Sequence, residues 1–357
     1  MSPRKKKVVK KKATAKKVVK KKAVKKVKPP KPAVKGAHGR RVKAELSFGE
    51  RGYDFYRDGV TQSLLSVFMS CRKKAKFVLD GWEKPRNKAA LIFGSFFHWL
   101  IEEHVMNIAH EGVGLSTSFQ KLETEWRQKI QSEGEIDPDA MELYIAMAYS
   151  LFEPYCDYWK KKDEAYEWVG VEAQFDVQLA TGYKMRGMRD GIFRKNGKLW
   201  VLETKTASRI DEETLGQTLN YDLQTLYYVL ATELEFKEPV AGVIYNVIRK
   251  PQLRQKKDES FPEYARRMQE DVQARPEFYF KRFELAYTKK RKLMEAEELK
   301  QKFMEMELWL KGELPTVKNQ TSCVGKWACD FVSACATNKM AGYTQTRELF
   351  GELSREQ

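Results

Sequence analysis

The sequence lacks any run of about 18 apolar residues, so it has no segment that could cross a membrane as a helix. Its N-terminus also lacks the apolar core that a secretory signal peptide needs. Cysteine is scarce and odd in number, with five in 357 residues, which argues against a framework of disulfides. These absences exclude membrane-spanning and disulfide-rich secreted proteins, and we expect a soluble, intracellular protein.

Acidic residues are missing from the first 40 positions, where 18 Lys and Arg lie. The rest of the chain carries 48 basic and 49 acidic residues, so the net charge of +17 belongs to this basic tail. Dense like charge with few large apolar groups cannot offset chain entropy, and we expect residues 1–40 to be a disordered tail and linker. Such a tail binds nucleic acid without sequence preference. A solubility tail or a localisation signal would have the same composition.

The folded part, residues 41–357, has enough apolar residues for a sizeable core, since 42% of the chain is hydrophobic. Apolar spacing predicts helices first, then strands, then helices again. The predicted helices cover residues 61–80, 89–109, 115–133, 139–162, 212–234 and 260–312. The predicted strands cover residues 168–206, which include a hairpin, and residues 240–249. This order indicates a mixed α/β (α+β) domain in which helices flank a small central mixed sheet.

The strongest local signal is Asn196-Gly197, because both central positions of a two-residue hairpin turn need a positive φ angle. If these residues form the turn, residues equally far before and after it pair across the two strands. Asp190 then lies opposite Glu203, and the Cβ atoms of such a pair are about 4.5–5.5 Å apart. Side chains alternate along a strand, so Glu203 and Lys205 share one face. The hairpin therefore predicts two acids and a lysine at one place.

Two opposed carboxylates repel each other unless positive charge lies between them. Lys205 supplies part of that charge, and Mg²⁺ or Mn²⁺ would supply the rest, because these ions prefer carboxylate oxygens and keep several waters. Such an ion can bind a phosphate oxygen and lower the pKa of its water. A neighbouring ammonium can orient the attacking water and offset charge in the transition state. The alternative is an ordinary surface salt bridge between Glu203 and Lys205.

Four short motifs follow one another in the folded part of the chain. They are Gly94-Ser-Phe-Phe-His98, Gly187-Met-Arg-Asp190, Glu203-Thr-Lys205 and Gln224-Thr-Leu-Tyr-Tyr228. In this order they resemble the PD-(D/E)XK nuclease superfamily, specifically its RecB-like branch, which includes CRISPR-associated RecB-like exonucleases, the AddB nuclease domain and phage exonucleases. The resemblance spans residues 61–336 and implies a restriction-endonuclease-like core. Arg189 departs from the pattern, because the nominal residue before the aspartate is Pro.

The resemblance implies a role for each residue of the active site. Asp190, Glu203 and Lys205 would be catalytic, with Lys205 positioning the attacking water. The metal ligands would be His98, Asp190, Glu203 and the carbonyl of Thr204. Without the resemblance, the favoured interpretation of His98 is an ordinary core histidine on an apolar helix.

Further roles are implied outside this group. Glu172 lies where relatives carry an acid one strand before the aspartate. Gln224 and Tyr228 are four residues apart and share one helix face, which in the family lies beside the active site and contacts the nucleic acid backbone. The alternative for this pair is the surface of an amphipathic helix.

Three of the five cysteines are closely spaced, as Cys323-x5-Cys329-x5-Cys335. The spacing alone suggests a metal site, although zinc sites usually use a closer first pair. The resemblance implies a [4Fe–4S] cluster, because many RecB-like relatives bind one through one Cys before the nuclease core and three after it. Cys71 occupies the first of those positions. Zinc and unligated buried thiols are the alternatives, and Cys156 is expected in the core.

Basic and aromatic residues near and after the predicted strand 240–249 form a candidate nucleic-acid path. Its first members are Arg249 and Lys250. The others are Tyr245, Asn246, Arg254, Lys256, Lys257, Tyr279, Arg282, Tyr287 and the basic residues of 289–292. Basic groups hold the phosphate backbone and aromatic rings stack unpaired bases. A solvated helix of mixed charge is the alternative for this region.

Together these features predict a metal-dependent deoxyribonuclease, an exonuclease acting on single-stranded DNA or DNA ends in recombination, repair or replication. Its cofactors would be Mg²⁺ or Mn²⁺ and the [4Fe–4S] cluster, and its partners DNA and replication or recombination proteins, with no membrane. We expect it in the bacterial cytoplasm or in a phage-infected host cell. The alternatives are a DNA-binding repair scaffold without turnover and an endonuclease subunit of a larger DNA-processing complex.

Overall fold

The computed structural model describes residues 47–48, 52–84, 89–111, 119–131, 137–324, 328–346, 348, 350 and 353. The predicted basic tail, residues 1–40, lies outside the described residues. Glu45–Gln357 form one compact unit. In the described ranges, every helix is too short or too polar to cross a lipid bilayer.

Helices and strands follow one another through the described ranges. The helices are α1 (Gln62–Ser70), α2 (Arg72–Leu79), α3 (Ala89–Glu111), α4 (Phe119–Gln131), α5 (Pro138–Asp163), α6 (Glu212–Thr218), α7 (Leu223–Phe236), α8 (Phe261–Ala274), α9 (Pro276–Tyr279), α10 (Lys289–Leu310), α11 (Gln320–Cys323) and α12 (Val332–Thr337). The strands are β1 (Ser47–Phe48), β2 (Tyr53–Asp54), β3 (Val60–Thr61), β4 (Trp82–Glu83), β5 (Glu167–Gln178), β6 (Lys184–Lys195), β7 (Lys198–Ala207), β8 (Val240–Arg249), β9 (Phe280–Ala286) and β10 (Thr344–Gln345).

Side-chain caps set several helix starts. The side chains of Thr61, Asp222 and Ser260 accept hydrogen bonds from backbone N–H groups in the first turns of α1, α7 and α8. These groups would otherwise lack a partner within the helix. Asp222 fixes where α7 begins, and α7 carries Gln224 and Tyr228.

The central sheet has the order β5-β6-β7-β8-β9, and β3 pairs with the far part of β6. β7 and β8 are parallel, with α6 and α7 forming the connection between them. The neighbours β5–β6, β6–β7 and β8–β9 are antiparallel. The prediction of a mixed central sheet flanked by helices is therefore confirmed.

The β6–β7 hairpin has the predicted turn, with φ angles of 53° and 71° at Asn196-Gly197. Pairing extends back from the turn to Gly191 opposite Leu202, which confirms the predicted register. Asp190 and Glu203 occupy the next position on each strand. The last ladder pair of β6 and β7 is Gly191 with Leu202, and further along β6 its partner is β3, at Met185 and Arg186. The two strands therefore separate where the two acids lie.

Helices cover both faces of the sheet. On one face, α1, α2, α7 and α10 form an apolar core with sheet residues such as Phe175 and Val201. On the other, α3, α4, α5, α8 and α9 form a second core with Ile248 and Phe280. The strand ends that carry the two acids thus lie between two helical layers.

Three predicted helices are interrupted. The predicted helix 212–234 is α6 and α7, separated by the 3₁₀ turn Leu219–Tyr221 and by Asp222. The predicted helix 61–80 is α1 and α2, which meet at Cys71 in an extended conformation, with φ −169° and ψ 115°. The prediction of a continuous helix over 260–312 is wrong, because β9 lies between α9 and α10. There the pairing of β9 with β8, the burial of Phe280 and a buried ion pair of Arg282 outweigh helical propensity.

Candidate active site

Asp190 is held at the point where β6 and β7 separate. Its Oδ2 accepts a hydrogen bond from the backbone N–H of Thr204. This bond connects the two strands one step beyond their last ladder pair, Gly191 and Leu202. The carboxylate is therefore fixed against β7 while it stays partly accessible to solvent.

Two further side chains of metal-ligand type converge on Asp190. His98 comes from α3, and its Nδ1 lies 3.7 Å from Asp190 Oδ2. Glu172 comes from β5, across from Asp190 in the β5–β6 ladder. Each of the three offers a ligand atom, and these atoms all lie within 4.8 Å of one another. An imidazole nitrogen with carboxylate oxygens at this spacing fits one divalent cation.

Glu172 has an unusual backbone conformation. Its φ angle of 44° lies in the left-handed region, although it is not a glycine and lies within a strand. Such conformations cost about 1–3 kcal/mol and are found most often at functional sites. The strain marks the position at which β5 supplies its carboxylate to His98 and Asp190.

Glu203 and Lys205, on β7, form an ion pair between Oε1 and Nζ. The side chain of Glu203 is 2% exposed and that of Lys205 is 38% exposed. The other oxygen of Glu203, Oε2, is buried and has no hydrogen-bond partner among the residues that the structure describes. A buried carboxylate oxygen without a partner is costly, and a cation beside it would offset that cost. We name the following group the acidic site: His98, Glu172, Asp190, Glu203 and Lys205.

Protonation within the acidic site follows from burial and from neighbouring charge. Burial and the charge of Asp190 raise the pKa of Glu203 to about 8, against the opposing effect of Lys205. Burial lowers the pKa of Lys205, but the charges of Glu203 and Asp190 outweigh burial and the net shift is upward. Lys205 is therefore an ammonium at neutral pH, and a bound cation would favour loss of the Glu203 proton.

A second buried charge cluster lies behind the acidic site. Arg282, on β9, donates to both carboxylate oxygens of Asp163 and, at 2.9 Å, to the Tyr155 hydroxyl. Its Nε donates to Asn246 Oδ1 at 3.3 Å. The Arg282 side chain is 6% exposed. We name these four residues the arginine network.

The arginine network reaches the acidic site through Thr204. Asn246 Nδ2 donates to Thr204 Oγ1 at 3.2 Å and to the Tyr155 hydroxyl at 2.8 Å. Thr204 in turn holds Asp190 through its backbone N–H. The metal-ligating role predicted for the Thr204 carbonyl stays a prediction, but the residue is buried and fixed on both sides.

Part of the predicted nucleic-acid path is wrong. Tyr245 is buried in a small core with Leu219, and Lys292 is buried beside its ion-pair partner Glu233. Asn246, Tyr279 and Tyr287 are buried, and Arg282 is enclosed in the arginine network. The reason is that each finds a hydrogen-bond partner in the interior, which a basic or aromatic residue type does not reveal. Asn246 carried a signal that sequence reasoning missed, because it is a polar residue inside the apolar strand 240–249. By contrast, Arg254, Lys256 and Lys257 are exposed.

Helix α7 places Gln224 and Tyr228 together, and Gln224 Nε2 donates to the Tyr228 hydroxyl at 3.2 Å. Tyr228 is buried with its ring 5.8 Å from that of Phe175. A Cβ at Gly187 would lie 2.7 Å from the Phe175 ring, so the motif glycine makes room for this packing. The predicted backbone contacts of Gln224 and Tyr228 stay predictions.

Arg189, which replaces the nominal Pro, links β6 to α7. It is fully buried, donates to Thr232 Oγ1 at 2.8 Å and pairs with Glu235. Its guanidinium lies 4.7 Å from the centre of the Phe175 ring. The departure from the family pattern is therefore accommodated by α7.

Arg249 and Lys250 lie against aromatic rings at the end of β8. Arg249 is 3.9 Å from the centre of the Phe278 ring, and Lys250 Nζ is 4.7 Å from that of Phe93. Burial lowers the pKa of both side chains. Their predicted role in binding nucleic acid stays a prediction.

The four predicted cluster cysteines come from separate parts of the chain. Cys71 is buried between α1 and α2, and its Sγ lies 3.5 Å from the backbone nitrogen of Asn319. Cys323 ends α11 and Cys335 lies in α12. Burial and the neighbouring thiols of Cys329, Cys71 and Cys323 raise the pKa of Cys335. Cys156 packs at the edge of the second core, as predicted.

Comparisons with known proteins assign the chain to a family. The family model for the PD-(D/E)XK nuclease superfamily matches residues 60–336. No curated protein matches the sequence. A crystal structure of a candidate exonuclease from Eubacterium rectale is similar, with a TM-score of 0.46 and 14% identity, covering 78% of this chain and 88% of that chain. Because the family model matches most of the chain, this protein belongs to the PD-(D/E)XK nuclease superfamily.

Proposed function

We propose that this protein is a divalent-metal-dependent DNA exonuclease that acts on single strands or DNA ends. One observation carries the metal dependence: His98, Glu172 and Asp190 present ligand atoms within 4.8 Å of one another. The buried, unpaired Oε2 of Glu203 adds a fourth group that a cation would satisfy. Membership of the nuclease superfamily supports hydrolysis of phosphodiester bonds.

The residues divide into ligands and a water-positioning group. His98, Glu172, Asp190 and Glu203, with the Thr204 carbonyl, would hold Mg²⁺ or Mn²⁺. When bound, such an ion lowers the pKa of its water and stabilises charge on the leaving oxygen.

Lys205 orients the attacking water and offsets negative charge in the transition state, because its pKa keeps it protonated. Thr204 keeps Asp190 in place through its N–H. Gln224, Tyr228, Arg249 and Lys250 are the proposed contacts to the DNA backbone.

The test is cleavage of end-labelled single-stranded DNA by the purified full chain with Mn²⁺ and with EDTA. We expect cleavage with Mn²⁺ alone, and a loss of about a thousandfold in Asp190→Ala, because several kcal/mol of transition-state stabilisation depend on the metal. A matched control is Asp176→Ala, which removes an acid from the same sheet that pairs with Lys184 and Arg186. Full metal-dependent cleavage by Asp190→Ala would overturn the assignment.

A circular single-stranded substrate separates the remaining possibilities. An exonuclease leaves the circle intact and degrades the linear form of the same sequence. Cleavage of the circle would make the protein an endonuclease. DNA binding without cleavage of either form would favour the repair scaffold.

The four cysteines Cys71, Cys323, Cys329 and Cys335 are proposed to hold a [4Fe–4S] cluster. Support comes from the spacing Cys323-x5-Cys329-x5-Cys335 with Cys71 upstream, and from the Asn319 N–H directed at Cys71 Sγ. Anaerobic purification followed by iron and sulfide analysis and an absorbance spectrum tests this. Four irons and four sulfides per chain, lost in Cys335→Ala, are expected, whereas bound zinc or metal-free protein would contradict the proposal.

A further inference from the structure

Tyr221 is the most exposed large apolar or aromatic side chain among the residues that the structure describes, at 83%. It lies at the end of a one-turn 3₁₀ helix, Leu219–Tyr221, between α6 and α7. A single exposed tyrosine is ordinary on a protein surface. Tyr221 differs from such a tyrosine in two ways: the backbone that carries it is anchored, and the segment lies beside the acidic site.

The segment that carries Tyr221 is anchored on both sides. Leu219 is buried in a small core with Ile210, Tyr245 and Val247. Arg291, on α10, donates to the side-chain and backbone oxygens of Asn220. The ring of Tyr221 is thus presented to solvent from a fixed backbone, which lowers the entropy lost when a ligand stacks on it.

The same segment borders the acidic site. Leu219 packs with Tyr245, which is the β8 partner of Glu203 in the β7–β8 ladder. Asp222, next to Tyr221, caps α7 by accepting a hydrogen bond from the Thr225 N–H. Gln224, the proposed backbone contact, follows within the first turn of α7. Tyr221 therefore lies three residues before Gln224 and two residues after Leu219, which packs beside the strand position of Glu203.

Positive charge lies on the other side of the segment. Lys289 and Lys290 are exposed at the start of α10, immediately before the Arg291 that holds Asn220. Proteins that bind single strands combine an aromatic platform for bases with basic groups for the phosphates. Tyr221 with Lys289 and Lys290 has both elements.

We propose that Tyr221 is a stacking platform for an unpaired nucleobase of the single strand entering the acidic site. The proposal rests on the proposed nuclease function and specifies its substrate, because a base inside a duplex has both faces covered by its neighbours. Tyr221 would thus favour single strands over duplex interiors without reading sequence, since every base has a π-face.

The test uses the full chain carrying Asp190→Ala, so that the DNA stays intact, in about 0.3 M salt to suppress binding by the basic tail. Affinity for a fluorescent single-stranded oligonucleotide is measured for the protein that keeps Tyr221 and for the variants Tyr221→Trp, Tyr221→Leu and Tyr221→Ala. We expect Trp to bind as well as Tyr, and both Leu and Ala to bind about tenfold more weakly, because leucine keeps apolar area but has no π-face. Tyr149→Ala, at an exposed tyrosine on α5, is the control and should bind normally.

A set of oligonucleotides with one abasic site, moved along the strand, gives the decisive comparison. At one position in the strand, the abasic site should weaken binding to the protein that keeps Tyr221 about tenfold and should leave binding to the Tyr221→Ala variant unchanged. Leucine that binds as well as tyrosine, or abasic effects identical in both proteins at every position, would overturn the proposal. The separate cleavage assay with Mn²⁺ shows whether the nuclease function itself holds, so the two failures are distinguishable.

Discussion

The acidic site, which is partly open to solvent, and the buried arginine network are both charge clusters, and Thr204 connects them. In the arginine network each of the three guanidinium nitrogens of Arg282 donates to an oxygen of Asp163, Tyr155 or Asn246. In the acidic site, by contrast, Glu203 keeps a buried oxygen without a partner among the described residues. The two clusters therefore differ in how completely their charges are satisfied.

This difference indicates different roles. A complete network of ion pairs and hydrogen bonds needs nothing further and stabilises one arrangement of the chain. An incomplete one raises the free energy of the isolated protein and favours any ligand that completes it. The arginine network thus positions Thr204 and Asp190, and the acidic site is the cluster that we propose binds the cation.

The largest expected effect comes from breaking the complete cluster. In Arg282→Met, Asp163 is left buried without its partner, and we expect a loss of about 3–5 kcal/mol in the free energy of unfolding. Chemical denaturation measures it. Arg57→Met, which removes a surface partner of Asp58, is the control and should cost under about 1 kcal/mol. Equal losses in the two variants would remove the distinction between a buried network and a surface pair.

Removing the ammonium of the acidic site should affect turnover without abolishing metal binding. In Lys205→Met we expect cleavage to fall about 100- to 1000-fold, because a group that stabilises transition-state charge is lost. Mn²⁺ binding, measured by calorimetry, should remain. Lys195→Met on the same hairpin, which pairs with Glu284, serves as the control. Loss of Mn²⁺ binding together with cleavage would make Lys205 part of the metal site instead.

The smallest expected effect is a change in pH dependence. The pKa of Glu203 is raised to about 8 from its ordinary value of 4.5, so the metal-free folded state keeps a proton that the unfolded state loses. Glu203 therefore makes its full contribution to the free energy of unfolding below pH 4.5, and this contribution is lost as the pH rises towards 8. Glu203→Gln removes the loss, and we expect its stability relative to the parent protein to increase by about 1–3 kcal/mol between pH 5 and pH 8.5. A difference that stays constant over this range would contradict the raised pKa.

Local signals in the sequence predicted the hairpin register and the order of the motifs. The Asn196-Gly197 turn fixes which residues pair, because few other residues adopt its φ angles. The hairpin alone did not predict which side chains would lie beside each of the two acids. Asp190 is grouped with His98 and Glu172, whereas Glu203 pairs with Lys205, because the β6–β7 ladder ends just before the two acids.

Features that depend on distant partners were not predictable. Arg282 has the sequence character of a surface residue, and only its pairing with Asp163, far away in the chain, allows its burial. The same pairing supports β9 inside a segment predicted as helix. The left-handed backbone of Glu172 has no local signal at all, since glutamate is not a residue type that favours it.

The central claim, that the acidic site is a cation site completed by Mn²⁺ or Mg²⁺, is tested most directly by calorimetric titration of Mn²⁺ into the metal-free full chain at pH 8. The account predicts binding that is weakened strongly in both Asp190→Asn and Glu203→Gln and is unchanged in Asp176→Asn. At saturating Mn²⁺, about 100 times the dissociation constant, the parent protein should gain about 2.7 kcal/mol in stability. Binding of equal affinity in all four proteins, or no binding by the parent protein, would contradict the account.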